Sequence, residues 1–237
     1  VETITRREPI GVVSSILPFN FPVMIPLWTI PYIIATGNTT VLKPSEFCPT
    51  TVSILADIAS QAGVPAGVIN VVHGKHHAVN RLIPDSRVQA VTFVGGNSGG
   101  KHVYDTATKY HKKAQVNLGA KNHTIVLPDA DVNAVLKGIA TGAFSATGQV
   151  CLSTDIIFLV GGARNFKDLI VEKVKTLKCK PGFEDGAFGP VVSQDSKNRL
   201  ESIIADAANK GANILVDGRA FNKPKAPEYA NGYFLVP

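Results

Sequence analysis

Short β-branched runs and helix-like stretches take turns along this chain, and that alternation constrains its fold more than any other feature. Strands whose two faces are both covered by helices belong in a parallel sheet, so the pattern predicts an α/β fold. Gly11 to Leu17 is a strand-like run that ends at Pro18, and Thr39 to Leu42 is a second one. Val52 to Ala62 has helical spacing and is stopped by Gly63 and Pro65. Val68 to Val72 is a strand closed by His73-Gly74, and a helix follows from His76 to Ile83. Val88 to Val94 is a strand entering a glycine-rich turn, Gly95 to Gly100, with a helix running on to about Thr108. The run from Phe21 to Ala35 is apolar but broken by Pro22, Pro26 and Pro31, which predicts a buried loop and a short helix.

After Lys121 the pattern restarts. Thr124 to Leu127 reads as a strand, Asp131 to Ser145 as a helix with an acidic start, and Asp155 to Val160 as a strand. Helices are expected over Asn165 to Leu177 and Asp195 to Lys210, and a strand over Asn213 to Val216. A boundary near residues 119–123 divides the chain into domains 1–121 and 122–237. The first set of units resembles a dinucleotide-binding half of the Rossmann type.

Composition narrows the function classes. Hydrophobic residues make up 45%, enough for a buried core, and charged residues only 18%, which argues against disorder. The net charge of +6 is spread along the chain without a basic block of nucleic-acid type, so no nucleic-acid partner is expected. An anionic ligand such as a dinucleotide or a thioester carrier suits this balance. Cys48, Cys151 and Cys179 are an odd number without paired spacing, which excludes a disulfide framework and a CxxC metal site and favours a reducing compartment. No apolar stretch is long enough for a membrane span, and no signal peptide is visible. The chain begins without Met and stops at Tyr233 to Pro237, within a strand-like run, so a fragment is expected.

Four places carry chemistry. Cys151, in Thr147-Gly148-Gln149-Val150-Cys151-Leu152-Ser153, sits where a helix pattern ends and a strand begins. Such a junction can expose a thiol to backbone amides that stabilise a thiolate, whereas an isolated cysteine is most often a small buried apolar residue. Cys48 and Cys179 lack any partner pattern and read as structural or incidental. In Pro18-Phe19-Asn20-Phe21-Pro22, Asn20 is the one polar side chain of a rigid apolar loop. It either donates to a developing oxyanion or satisfies backbone groups in a tight turn. Leu42-Lys43-Pro44-Ser45-Glu46 places a cation and a carboxylate beyond a strand end, suited to ribose hydroxyls or equally to a surface turn. The Gly95 to Gly100 loop lets backbone approach a pyrophosphate, although it is not GxGxxG.

Taken in order, PFNFP, LKPSE, FVGG, NLGAKN and GQxC resemble the aldehyde dehydrogenase superfamily over essentially the whole chain. Val72 to Asn80 and Leu118 to His123 are most similar to its CoA-acylating methylmalonate-semialdehyde branch. The resemblance implies a Rossmann-type cofactor domain followed by an incomplete α/β catalytic domain. It implies Cys151 as nucleophile and Asn20 as oxyanion amide. Lys43 and Glu46 match residues on the adenosine ribose. Phe93, Gly95 and Gly96 match the turn near nicotinamide and pyrophosphate, Trp28 a tryptophan near the cofactor, and Phe19 and Leu118 complete the cofactor set. It further implies NAD as cofactor, CoA as co-substrate, no metal, a homodimer or homotetramer, and a mitochondrial matrix location in a eukaryote or a cytoplasmic one otherwise.

The departures sharpen this. Hydrolytic members carry a glutamate where this chain has Asn117, and an amide cannot act as a general base at neutral pH. A thioacyl group on Cys151 then needs another acceptor, and a CoA thiol fits. Val150 stands where the semialdehyde branch has arginine, and Gly96 where a serine is usual. Three readings follow: a CoA-acylating semialdehyde dehydrogenase, a hydrolytic aldehyde dehydrogenase with an unusual base, and a catalytically silent protein that keeps the fold.

Overall fold

A computed structural model describes residues 1–182, 184, 186, 188–220 and 231–236. The chain divides into two compact units, Val1–Gly119 and Ala120–Pro237.

The first unit is a five-stranded sheet. In chain order its elements are β1 (Val12–Ile16), α1 (Met24–Ala35), β2 (Thr39–Lys43), α2 (Pro49–Gln61), β3 (Ile69–Val71), α3 (His76–Leu82), β4 (Val88–Val94), α4 (Asn97–Lys109) and β5 (Lys113–Asn117). The spatial order is β3-β2-β1-β4-β5, with every pair parallel. Alternation along each strand sends side chains to two separate cores. Ile16, Val91 and Phe93 pack with Val79, Val103 and Ala107, so α3 and α4 cover that face. Leu17 and Leu42 pack with Ile25, Ile30 and Val52, so α1 and α2 cover the other. The strand order runs outward from β1 through β2 to β3, then resumes on the far side of β1 with β4 and β5. That reversal opens a crevice beyond the carboxyl ends of β1 and β4, where open α/β sheets bind ligands.

Three local expectations are corrected. The proline-broken run after Phe21 is mostly helix, because α1 spans 12 residues. Pro26 lies in its first turn, where no intrahelical N–H is required, and Pro31 is accommodated within it. The glycine-rich turn is shorter than its sequence suggests: Gly95 and Gly96 alone precede α4, and Asn97 to Gly100 form its first turn. Strand β5 was not anticipated.

The second unit contains β6 (Asn122–Val126), α5 (Val132–Phe144), β7 (Thr154–Leu159), α6 (Phe166–Lys175) and α7 (Gln194–Asn209). Strands β6 and β7 form a parallel pair, the only sheet of this unit among the described residues. Asp131 caps α5 by accepting from the Ala134 N–H at 2.7 Å, and Ser193 caps α7 through the Ser196 N–H at 3.1 Å. Cys179, Phe188 and Phe234 form a small apolar cluster with Phe144 and Leu177. The strand expected at Asn213 to Val216 is absent. Its apolar side chains instead line a groove with Phe144, Ile170, Val174 and Ile204 from three helices, and no neighbouring strand offers them a ladder among the described residues. Tyr233 to Val236 is likewise not a strand, although the Tyr233 carbonyl accepts from the Val191 N–H at 3.1 Å. Pro237 lies outside the described residues.

Candidate active site

The carboxyl ends of four strands stand level in the first unit. Ile16 is paired with Lys43 on one side and with Phe93 on the other, and Phe93 with Val116. Each strand therefore releases its loop at the same height. The loops converge on a cavity of about 250 Å³ lined by Phe19, Lys43, Glu46, Phe93, Gly95 and Gly96. Six of the eight cofactor candidates are thus brought together by strand register alone. Trp28, on α1, and Leu118, just past β5, do not line this cavity, and both are partly exposed at 43% and 41%. Leu118 has a packing role: a Cβ placed on Gly100 would lie 2.0 Å from its Cδ2 and 2.9 Å from Val116 Cγ1, so Gly100 permits the close approach of α4 to β5.

Lys43 is buried, and its Nζ donates to the carbonyls of Pro44 at 2.6 Å and Gly74 at 2.9 Å. Glu46 lies 3.8 Å away and is partly exposed. Burial pushes the Lys43 ammonium below its ordinary pKa, and the Glu46 carboxylate opposes that shift. The two carbonyl bonds fix the ammonium, while the carboxylate remains open to a hydroxyl-bearing ligand. Phe19 meets Phe47 edge to face, with ring centroids 6.2 Å apart. A side chain built at Gly96 would meet nothing within 4 Å, so the backbone entering α4 is open to close approach. Helix α4 has no side-chain cap, which leaves its first N–H groups available to an anion. A dinucleotide fits this set: a carboxylate for ribose, bare backbone and helix dipole for diphosphate. Sequence reasoning missed Lys75, His76 and His102, which line the same cavity. Lys75 and His76 stand at the entry to α3, the position that would have signalled them. Asn20 is half-buried in the loop after β1. Asn117 ends β5, and its carbonyl accepts the Gly95 N–H at 3.1 Å.

In the second unit Cys151 follows α5 and a 3-10 turn, Ser145–Gly148. Ala146 (φ 49°), Thr147 (φ 58°) and Gly148 (φ 69°) are three consecutive left-handed residues. Two of them carry side chains, so the segment is strained and must be held by its surroundings. Thr147 Oγ1 donates to the Gly189 carbonyl. Gln149 accepts from the Val192 N–H at 2.9 Å and donates to the Ala146 carbonyl at 2.9 Å. Cys151 is half-buried, and Asn122 donates to its carbonyl at 2.8 Å. Cys179 contrasts with it: burial pushes its thiol up to about 11, and it donates to the Gly189 carbonyl at 3.5 Å within the apolar cluster. It is a protonated structural cysteine at neutral pH. Among the described residues, no group of His, Cys, Asp or Glu is arranged to hold a metal ion, and no helix is long and apolar enough to cross a membrane.

The sheet order and its crevice define a Rossmann-type parallel α/β half joined in sequence to a second α/β unit that carries a loop cysteine. Residues 1–237 match the aldehyde dehydrogenase family, and the chain belongs to it. It is 44% identical over its whole length to an acylating, mitochondrial methylmalonate-semialdehyde dehydrogenase of Arabidopsis thaliana, of which it spans 39%. It is 40% identical over 98% of its length to the acylating, mitochondrial methylmalonate-semialdehyde/malonate-semialdehyde dehydrogenase of Rattus norvegicus, spanning 43% of that protein. The crystal structure of methylmalonate-semialdehyde dehydrogenase from Oceanimonas doudoroffii superposes with a TM-score of 0.90 at 40% identity, covering 96% of this chain and 47% of that one. A betaine aldehyde dehydrogenase from Staphylococcus aureus in complex with NAD+ gives 0.89 at 32% identity, covering 97% and 46%. The chain therefore spans less than half the length of each of these relatives.

Proposed function

We propose that this chain carries the cofactor crevice and the nucleophile of an NAD-dependent, CoA-acylating dehydrogenase of malonate or methylmalonate semialdehyde. The observation that carries the reading is the single cavity at the strand ends that gathers Phe19, Lys43, Glu46, Phe93, Gly95 and Gly96. The acylating names of the relatives support the substrate class, and an NAD+ complex of a structural neighbour supports the cofactor. Glu46 and Lys43 would hold the adenosine ribose; a carboxylate there repels a 2′-phosphate, which favours NAD over NADP. Gly95, Gly96 and the start of α4 would take the diphosphate, with Phe93 and Phe19 supplying apolar wall for the nicotinamide end, whereas Trp28 and Leu118 stand outside this cavity.

The Cys151 thiolate adds to the aldehyde carbon, forming a carbon–sulfur bond and an oxyanion. Asn20 and the Cys151 backbone N–H donate to that oxyanion. NAD, when bound, supplies the acceptor for the hydride lost from the former aldehyde carbon, leaving a thioester on Cys151. Asn117 cannot activate water, so the thioester waits for the thiolate of CoA, which displaces Cys151 and restores its thiolate. With malonate-type semialdehydes the bond to the carboxylate also breaks, releasing carbon dioxide; its electron pair stays on the α-carbon as a thioester enolate, which takes a proton from water and gives acetyl-CoA or propionyl-CoA. The full-length enzyme works as a homodimer or homotetramer, in the mitochondrial matrix if the source is eukaryotic.

The test is NADH formation by the full-length protein on malonate semialdehyde, with and without CoA. Turnover is expected to need CoA and to fall at least ~10³-fold in Cys151→Ala. Wild-type turnover by Cys151→Ala sinks the reading, and NADH release that is indifferent to CoA replaces it with the hydrolytic one.

A further inference from the structure

Asn122 opens β6, and both of its amide protons are committed to the cysteine loop. Nδ2 donates to the carbonyl of Cys151 at 2.8 Å and to the carbonyl of Ser153 at 2.8 Å. Its own backbone N–H donates to Asp155 Oδ2 at 3.0 Å, and the residue pairs with Thr154 in the β6–β7 ladder. The side chain is thus mounted on the sheet and clasps the carbonyls of the two residues that flank Leu152. Leu152 is 76% exposed, so apolar packing does not locate this stretch. Upstream the loop is tied to residues 189 and 192 through Thr147 and Gln149. Downstream the Ser153 hydroxyl donates to the carbonyls of Gly142 and Ala143 at 3.1 and 3.3 Å. Between these ties, among the described residues, the hydrogen bond that reaches residue 151 itself comes from the Asn122 amide. It acts on the carbonyl and leaves the sulfur and the backbone N–H uncommitted by that bond.

We infer that Asn122 is a positioning residue for Cys151, setting the thiol through the peptide carbonyls on either side of Leu152. The inference rests on the proposal that Cys151 is the nucleophile. Asn122→Asp keeps the shape of the side chain but, ionised, turns both donors into acceptors facing carbonyls. Asn122→Ser keeps one donor on a shorter arm. Thr124→Ala, which removes the Thr124–Thr154 hydroxyl bond of the same strand pair, is the control for a general loosening of the sheet.

The experiment uses the full-length protein and follows kcat, KM for NAD, thermal transition, and alkylation of Cys151 by iodoacetamide as a function of pH. In Asn122→Asp, kcat and the high-pH plateau of alkylation are expected to fall ~10- to 100-fold with KM for NAD unchanged. Asn122→Ser should fall between Asp and wild type, and Thr124→Ala should match wild type in both readouts. Wild-type kcat and alkylation in both Asn122 variants, or an equal loss in Thr124→Ala, overturns the inference. If Asn122→Asp does not fold, Asn122→Ser decides alone. If Cys151→Ala retains turnover, the nucleophile assignment has failed instead, and the two failures are separable.

Discussion

The two units reach order by different means. In the first, five parallel strands are sandwiched between helices, with one apolar cluster on each face and Leu42 and Ile25 wholly buried. In the second, two strands carry Ile125, Ile156 and Phe158 at 66%, 38% and 49% exposure, and the cysteine loop is tied by hydrogen bonds between side chains and backbone carbonyl or N–H groups. The contrast follows the chemistry. A cofactor crevice needs several loops released at one level, which a packed sheet supplies through register. The nucleophile proposed for the second unit needs one atom placed closely, and polar clasps on a strained loop do that without enclosing the thiol. Packing sets the first site; hydrogen bonds set the second.

The sharpest way to break this contrast is to truncate one aliphatic side chain in each sheet. Leu42→Ala deletes a fully buried side chain from β2 and should destabilise the first unit by ~2–5 kcal/mol. Ile125→Ala, in β6, removes an exposed side chain and should cost less than ~0.5 kcal/mol. Urea titration of the chain, followed by far-UV circular dichroism, gives both values. Equal losses would mean that β6 is as tightly packed as β2, and the contrast would dissolve.

Asn117→Glu sharpens the same division from the chemical side. Asn117 ends β5, hydrogen-bonded through its carbonyl to the Gly95 turn, so the substitution adds a carboxylate to the unit proposed to hold the cofactor. If deacylation is limited by the lack of a base, NADH release without CoA should rise by roughly tenfold or more, a small share of what a well-placed general base supplies. An unchanged CoA-independent rate measured by absorbance would show that the missing glutamate is not what makes the enzyme wait for a thiol.

The same contrast explains what the sequence disclosed. Strand β4 runs from Val88 to Val94, where its β-branched pattern placed it, because burial on both faces leaves an unmistakable apolar run. Strand β5 escaped notice because Lys113-Ala114-Gln115-Val116-Asn117 lies at a sheet edge with alternate residues exposed, so only Ala114 and Val116 are apolar. Asn213 to Val216 misled in the opposite sense, since Ile214, Leu215 and Val216 satisfy their apolar character against helices. At the candidate sites, Lys43, Glu46 and Gly95 stood out only in company with the other motifs, because charged or bare residues at a strand end read equally as a surface turn. Asn122 was visible only as a letter of NLGAKN: an amide that clasps carbonyls 29 and 31 residues away leaves no local signature. Left-handed backbone at Ala146 and Thr147 was equally hidden, because neither residue type announces a positive φ.

That strain offers the finest test of how the cysteine loop is held. Ala146 has φ 49° and ψ 28°, a conformation glycine adopts freely and alanine does not. Glycine would remove that local cost but add entropy to the unfolded chain, by ~0.5–1 kcal/mol. The left-handed cost of ~1–2 kcal/mol matches or exceeds that entropy, so Ala146→Gly should range from neutral to stabilising by ~1 kcal/mol, whereas Ala56→Gly inside α2 should cost ~1 kcal/mol. Paired thermal melts of the two variants read the difference. A loss at Ala146 as large as at Ala56 would mean that this turn is not strained, and that the bonds of Thr147 and Gln149 hold a loop already at rest.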